Sequence, residues 1–336
     1  MTQAAAPALT AAAPAAASHA DLNRRAAMAS SAVALLLLAF KGWAVVQSGS
    51  LAMVGSLADT ALDLVASLAT LLGVWIAAMP ADHNHRFGHG KAEALAALFQ
   101  VILISFSALG LAWRAVTQFV AGAPAIEAES GIVVSAIAMA ATLGLLAYQR
   151  MVIARTGSLA ISTDNLHYKS DLALNLAVIV ALVIEHYLQM PGTDAVFAFG
   201  IALWLAWGAW GASQEAVDQL MDHEWPIEKR ERFLAVVAQH PELKGLHDLR
   251  TRTSGNHDFV QFHVWVDGAM SVAEAHRVMS EIEEKLMAEF PGVEVLIHPD
   301  PEGHVDEAGL GATDLLAPGP NGERPTLAVQ GGPGEG

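Results

Sequence analysis

Residues 56–68 read SLADTALDLVASL, with two aspartates, Asp59 and Asp63, standing four residues apart in an otherwise apolar run. That run extends from Leu51 to Met79, and roughly 20 predominantly apolar helical residues suffice to cross a bilayer core. The segment therefore reads as a membrane span that retains two acids. Helical geometry places residues i and i+4 on one face, so both carboxyls point the same way, one turn apart.

The rest of the chain fits that environment. Its 336 residues are 54% hydrophobic and 15% charged, outside the range of ordinary soluble domains. Five further spans are predicted, at Ala26–Gln47, Ala92–Val120, Gly131–Val152, Ser158–Leu188 and Asp194–Ala212, making six in all. Arg24, Arg25, Arg86, Lys91, Arg150 and Arg155 flank the spans on one side, whereas the connections SGS, AGAPAIEAES and QMPGTD carry no Lys or Arg. The positive-inside rule then puts both termini in the cytoplasm. A net charge of −16 leaves no basic footprint for nucleic acid. The absence of cysteine excludes disulfides, thiolate metal sites and cysteine catalysis within the chain, leaving carboxylates and 14 histidines as candidate ligands.

Residues 1–22 are Ala/Pro-rich without a cleavable-signal pattern and read as a disordered lead; residues 303–336, rich in Gly and Pro, read as a disordered tail. Between them, residues 23–221 form the membrane domain and 222–302 a cytoplasmic α+β module in the order α-β-β-α-β. In that module PIEKRERFLAVVAQH and SVAEAHRVMSEIEEKLMAEF have helical spacing. DFVQFHVWVD alternates Val260, Phe262, Val264 and Val266 to one face, and VEVLIH closes as a strand.

Span five repeats the device of span two: in STDNLHYKSDLAL, His167 and Asp171 are again i and i+4, with Asp164 one turn earlier. Ionised acids at mid-bilayer cost about 2.5–3.5 kcal/mol each, so Asp59, Asp63 and Asp171 need compensation. A wet crevice, or pairing with Lys41 and Arg114, would supply some; a bound divalent cation would supply more. Three carboxylates and one imidazole suit tetrahedral Zn²⁺ and accept Fe²⁺, Cd²⁺, Co²⁺, Ni²⁺ or Mn²⁺, the nitrogen favouring Zn²⁺ over Mn²⁺. Because these groups ligate deprotonated, binding expels protons, and a site open alternately to either side would exchange metal for protons.

SLADTALDLVASL, PADHNHRFGHGKAEALAAL, LHYKSDLALN, HDLRTR and LIHPDP, in that order from Asn23 to Pro301, resemble the cation diffusion facilitator family, and within it the bacterial zinc/iron efflux branch. The resemblance implies six transmembrane helices, a cytoplasmic metal-binding domain, a homodimer in the inner membrane and proton-driven export of divalent metal. It places the transport site on Asp59, Asp63, His167 and Asp171. It implies a loop site on Asp82, His85 and His89, with His83 replacing an acid, and a cytoplasmic site on His247, His263, His276, His298 and Asp300. It further implies a Lys91–Asp222 ion pair joining the two domains. A membrane metal sensor and an intramembrane zinc hydrolase are the alternative classes, although HEWPI at His223 lacks the second histidine of HExxH.

Overall fold

The computed structural model describes residues 13–48, 51–121, 132–188, 192–304 and 315–316. The predicted lead before Ala13, most of the predicted tail after His304, and much of the connections that were read as lacking basic residues lie outside the described residues. The chain divides into a helical unit, His19–Leu220, and a second unit that includes everything from Met221 onward.

Six long helices build the first unit: α1 Ala13–Ser48, α2 Leu51–Ala77, α3 Ala92–Ala121, α4 Ile132–Thr156, α5 Leu159–Leu188 and α6 Thr193–Leu220. Among the described residues, parts of α1, α2, α3 and α6 are long and apolar enough to cross a membrane by length and composition. The N-terminal half of α5 carries Asp164, His167, Lys169 and Asp171, which lowers its apolarity. Two boundaries differ from those predicted. Helix α1 begins at Ala13, inside the segment read as a disordered lead, because its alanines are the strongest helix formers and Pro14 is tolerated in a first turn. Helix α6 continues past Ala212 to Leu220, where Ala216 is buried against Ala94, Ala97 and Leu159.

Large apolar side chains face outward, as a lipid solvent favours, while several polar ones are buried among the helices. Trp113 and Trp207 are 72% and 79% exposed, while Ser30, Ser67, Gln100, Gln149 and Asp164 are at most 1% exposed. Small residues let the helices approach closely. A Cβ built on Gly73 of α2 would sit 2.4 Å from the Ala96 Cβ of α3, so glycine is what this crossing accommodates.

The second unit contains α7 Ile227–Val237, β1 Gly245–Ser254, β2 His257–Val266, α8 Val272–Glu289 and β3 Val293–Pro301. The sheet order is β1-β2-β3, with β1 antiparallel and β3 parallel to β2. Gly255 takes positive φ in the two-residue β1–β2 loop, and α8 supplies the crossover that a parallel pair needs. Helix α8 starts with a capping box in which the Ser271 side chain accepts from the Glu274 N–H and the Glu274 carboxylate accepts from the Ser271 N–H. Val260, Phe262, Val264 and Val266 cover one sheet face, packed by Phe233, Leu234 and Val237 of α7 and by Val278, Met279, Ile282 and Leu286 of α8. Alternation consequently turns His263 and Trp265 of β2 to the opposite face.

Candidate metal centres

Helices α2 and α5 bring Asp63, His167 and Asp171 together. The His167 Nε2 lies 3.0 Å from Asp63 Oδ1 and 3.9 Å from Asp171 Oδ2. The His167 side chain is 9% exposed and the two carboxylates 23% and 35%, so the group borders a partly accessible face. Asp59, one turn earlier on α2, is exposed and stands outside this group of three. Next to it in sequence, Thr60 accepts a 2.6 Å hydrogen bond from Lys41 Nζ of α1.

Behind this face lies a polar cluster that the sequence did not reveal. Asp164 is fully buried and accepts hydrogen bonds from Ser30 Oγ of α1 (2.5 Å), Gln100 Nε2 of α3 (2.8 Å) and Gln149 Nε2 of α4 (2.7 Å). A second buried acid, Glu93, accepts from Asn23 and Ser158. Gln100 and Gln149 inside predicted spans were the available signal, but their partners are far away in sequence.

The α2–α3 loop gathers Asp82, His85 and His89. Asp82 Oδ1 accepts from the Asn84 and His85 N–H groups at 2.8 and 2.7 Å, and the His85 and His89 rings each bring a nitrogen within 3.4 Å of an Asp82 oxygen. The backbone N–H groups of His85 and then Asn84 hold the Asp82 carboxyl below the usual carboxylate range. The His89 Nδ1 is buried without a hydrogen-bond partner, a donor atom turned inward at this loop. His83 is exposed. Lys91, at the start of α3, donates to the Leu220 carbonyl that ends α6, at 3.1 Å. In the other unit, Asp222 adopts φ 58° and its carboxylate lies 3.5 Å from Arg252.

In the second unit, sheet register sets His247 opposite His263 and His263 opposite His298, one histidine from each strand. Asp300 lies against all three: Oδ2 is 3.3 Å from His247 Nε2 and within hydrogen-bond distance, 2.9 Å, of His263 Nδ1, and Oδ1 is 3.3 Å from His298 Nε2. The Asp300 and His247 side chains are 4% and 2% exposed, His298 57%. His276 is exposed on α8 and stands outside this group; the buried stripe of that helix runs through Val278, Met279, Ile282 and Leu286 instead.

A further group, His240, Glu242 and Glu281, also escaped the sequence reading. Here Arg277 donates to both Glu242 oxygens and to Glu281, while His240 Nε2 lies 3.2 Å from Glu281. The Arg277 guanidinium, followed by the His240 ring, holds Glu281 below the usual glutamate range. The position of a metal charge is thus filled by a side-chain cation. The Arg277–Glu281 i, i+4 spacing was the visible trace.

Comparison with known proteins adds the family. Residues 27–221 match the family profile described as the cation efflux transmembrane domain, and 225–302 that of the cation efflux protein cytoplasmic domain. The cation-efflux pump FieF of Shigella boydii serotype 18 is 39% identical over 87% of this chain and 97% of its own. FieF of Escherichia coli O127:H6 is 40% identical over the same shares. Among solved structures, the metal-bound C-terminal domain of the CzcD transporter from Thermotoga maritima is 30% identical, covering 24% of this chain and 94% of that one with a TM-score of 0.23. The Zn form of CzrB is 38% identical, covering 26% and 99%, also with a TM-score of 0.23.

Proposed function

The chain belongs to the cation diffusion facilitator family of cation efflux transporters, and on that premise we propose that it exports divalent metal, chiefly Zn²⁺, across an inner membrane in exchange for protons. The observation that carries this reading is the position of His167 Nε2, 3.0 and 3.9 Å from carboxylate oxygens on two different helices. Donors bound tetrahedrally to zinc at about 2.0–2.1 Å stand roughly 3.3 Å from one another, so the two spacings straddle what a shared ion would impose. Asp59 is the fourth ligand, joining by a rotamer change from the exposed end of the α2 face. His167, the one nitrogen donor, biases the set toward Zn²⁺, with Fe²⁺, Cd²⁺, Co²⁺, Ni²⁺ and Mn²⁺ as further substrates.

The exchange follows from the chemistry of these ligands. Metal enters from the cytoplasm and displaces protons from Asp63, His167 and Asp171, because each ligates in its deprotonated form. When the α2–α5 face opens outward, protons from that side return to the same oxygens and nitrogen and the metal leaves. An empty site holding several anions near mid-bilayer is costly, so reprotonation also compensates the return step. Both termini and the α+β module lie in the cytoplasm, and the protein works as a homodimer through that module. His247, His263, His298 and Asp300 bind metal when cytoplasmic metal is plentiful and favour one conformation by binding it better. Asp82, His85 and His89 form an auxiliary site at the α2–α3 loop.

Asp63→Ala removes a ligand from the transport site. In vesicles containing the full-length protein, Zn²⁺ flux is expected to fall at least about 100-fold, beyond the 10–100-fold typical of losing a mere supporting partner. Flux equal to wild type would overturn the assignment.

A further inference from the structure

The buried cluster around Asp164 has no place in the exchange just described, yet it occupies the turns next to the metal face. Asp164 precedes His167 by one turn of α5, Tyr168 follows His167 directly, and Ser67 follows Asp63 by one turn of α2. These residues are linked. Ser30 Oγ, which donates to Asp164, is 3.2 Å from Ser67 Oγ, and Ser67 Oγ is 2.9 Å from the Tyr168 hydroxyl. With the Ser30 proton on Asp164, the Ser67 hydroxyl donates to Ser30, so the hydroxyl chain ends on the carboxylate. Gln100 and Gln149 add amide donors from α3 and α4, and Gln149 is itself oriented by Asn165, whose Nδ2 donates to the Gln149 Oε1 at 3.0 Å. Four helices thus meet at one acid that no solvent reaches, and a fifth, α2, is linked to it through Ser67 and Ser30.

We propose that Asp164 is the positioning residue of the transport site: it ties α5 to α1, α3 and α4, and through Ser30 and Ser67 to α2, so that Asp63 and His167 face each other at ligand distance. This rests on the reading of Asp63, His167 and Asp171 as the metal site. The chemistry selects a carboxylate. Gln100, Gln149 and Ser30 all donate to the Asp164 oxygens, which together offer enough lone pairs to accept from all three at once. An amide there would turn an NH₂ group toward donors and leave one of them without an acceptor inside a low-dielectric interior. Packing alone needs no such arrangement, because the neighbouring interfaces are made by alanines such as Ala26, Ala27, Ala96 and Ala160.

The test uses full-length protein in vesicles, with Zn²⁺ as the transported probe and initial rates measured across Zn²⁺ concentration. Asp164→Asn is expected to raise the half-saturating Zn²⁺ concentration about 10–100-fold, with a smaller change in maximal rate. Adding Gln149→Glu reverses the polarity of that hydrogen bond, so that the amide introduced at position 164 donates where Asp164 accepted. The double variant is expected to return within about 3-fold of wild type. An unchanged half-saturating concentration, or a rise that Gln149→Glu leaves in place, overturns the proposal. Should Asp164→Asn not accumulate in the membrane, Ser30→Ala and Gln149→Leu each remove one donor and are read by the same shift, an unchanged value again overturning it. Asp63→Ala in the same vesicles separates the two readings. Wild-type flux in Asp63→Ala removes the metal site itself; lost flux there beside wild-type kinetics in Asp164→Asn removes only the positioning role.

Discussion

Asp300→Ala removes the carboxylate that the three histidines of the row surround, and its consequence can be worked from the structure. Asp300 stands 3.3, 2.9 and 3.3 Å from ring nitrogens of His247, His263 and His298, so one substitution removes both a proposed ligand and the hydrogen-bond partner of His263. A loss of about 100-fold in metal affinity is expected, the upper end for losing an orienting partner. With free Zn²⁺ at about 100 times the wild-type Kd, binding stabilises the wild-type module by about 2.7 kcal/mol, whereas a 100-fold weaker site retains about 0.4 kcal/mol. Hydrogen exchange of the β2 amides in the full-length protein reads this directly. Metal should slow exchange about 100-fold in wild type and only about 2-fold in Asp300→Ala, where global opening governs both. The metal-free rates of each protein serve as its own baseline. Equal protection by Zn²⁺ in the two proteins would refute the assignment of Asp300 as a ligand.

Two other outcomes follow from local geometry. Gly73→Ala places a methyl group 2.4 Å from the Ala96 Cβ, so α2 and α3 must separate; a cost of about 1–3 kcal/mol is expected as a lower unfolding midpoint of the detergent-solubilised protein, and an unchanged midpoint would refute the close crossing. The Ser271 N–H and hydroxyl hold the Glu274 carboxyl below its ordinary value of 4.5, so its contribution to the α8 start is complete above that value and is lost as pH falls through the lowered one. Amide protection in the first turn of α8 should therefore decline only below pH 4.5 in wild type, while Glu274→Gln, which still caps but does not ionise, should show no such decline. Identical profiles would contradict the capping role.

The convergence of Asp63, His167 and Asp171 could be anticipated because two helices carried paired polar residues at helical spacing, a local pattern that survives without knowing how the helices pack. Asp59 shares that spacing with Asp63 yet lies exposed, since one helical turn is enough to carry a side chain from an interface to its rim. The histidine row depends on long-range pairing: His247 meets His263 through the β1–β2 hairpin register, and His263 meets His298 only through a parallel crossover. Alternation within β2 could place His263 away from the core but could not choose its neighbours. Asp164 was the hardest to read, because its donors lie at positions 30, 100 and 149 on three other helices. His240, Glu242 and Glu281 were hidden for the same reason, as the turn after α7 and helix α8 are joined in space across β1 and β2.

In the proposed exchange, one set of oxygen and nitrogen donors on α2 and α5 holds either a divalent ion or protons. Recording lumenal pH and Zn²⁺ together in vesicles containing the full-length protein tests it most directly. Zn²⁺ moving one way with protons moving the other, both lost in Asp63→Ala, is the predicted result; Zn²⁺ moving with no accompanying proton flux would contradict it.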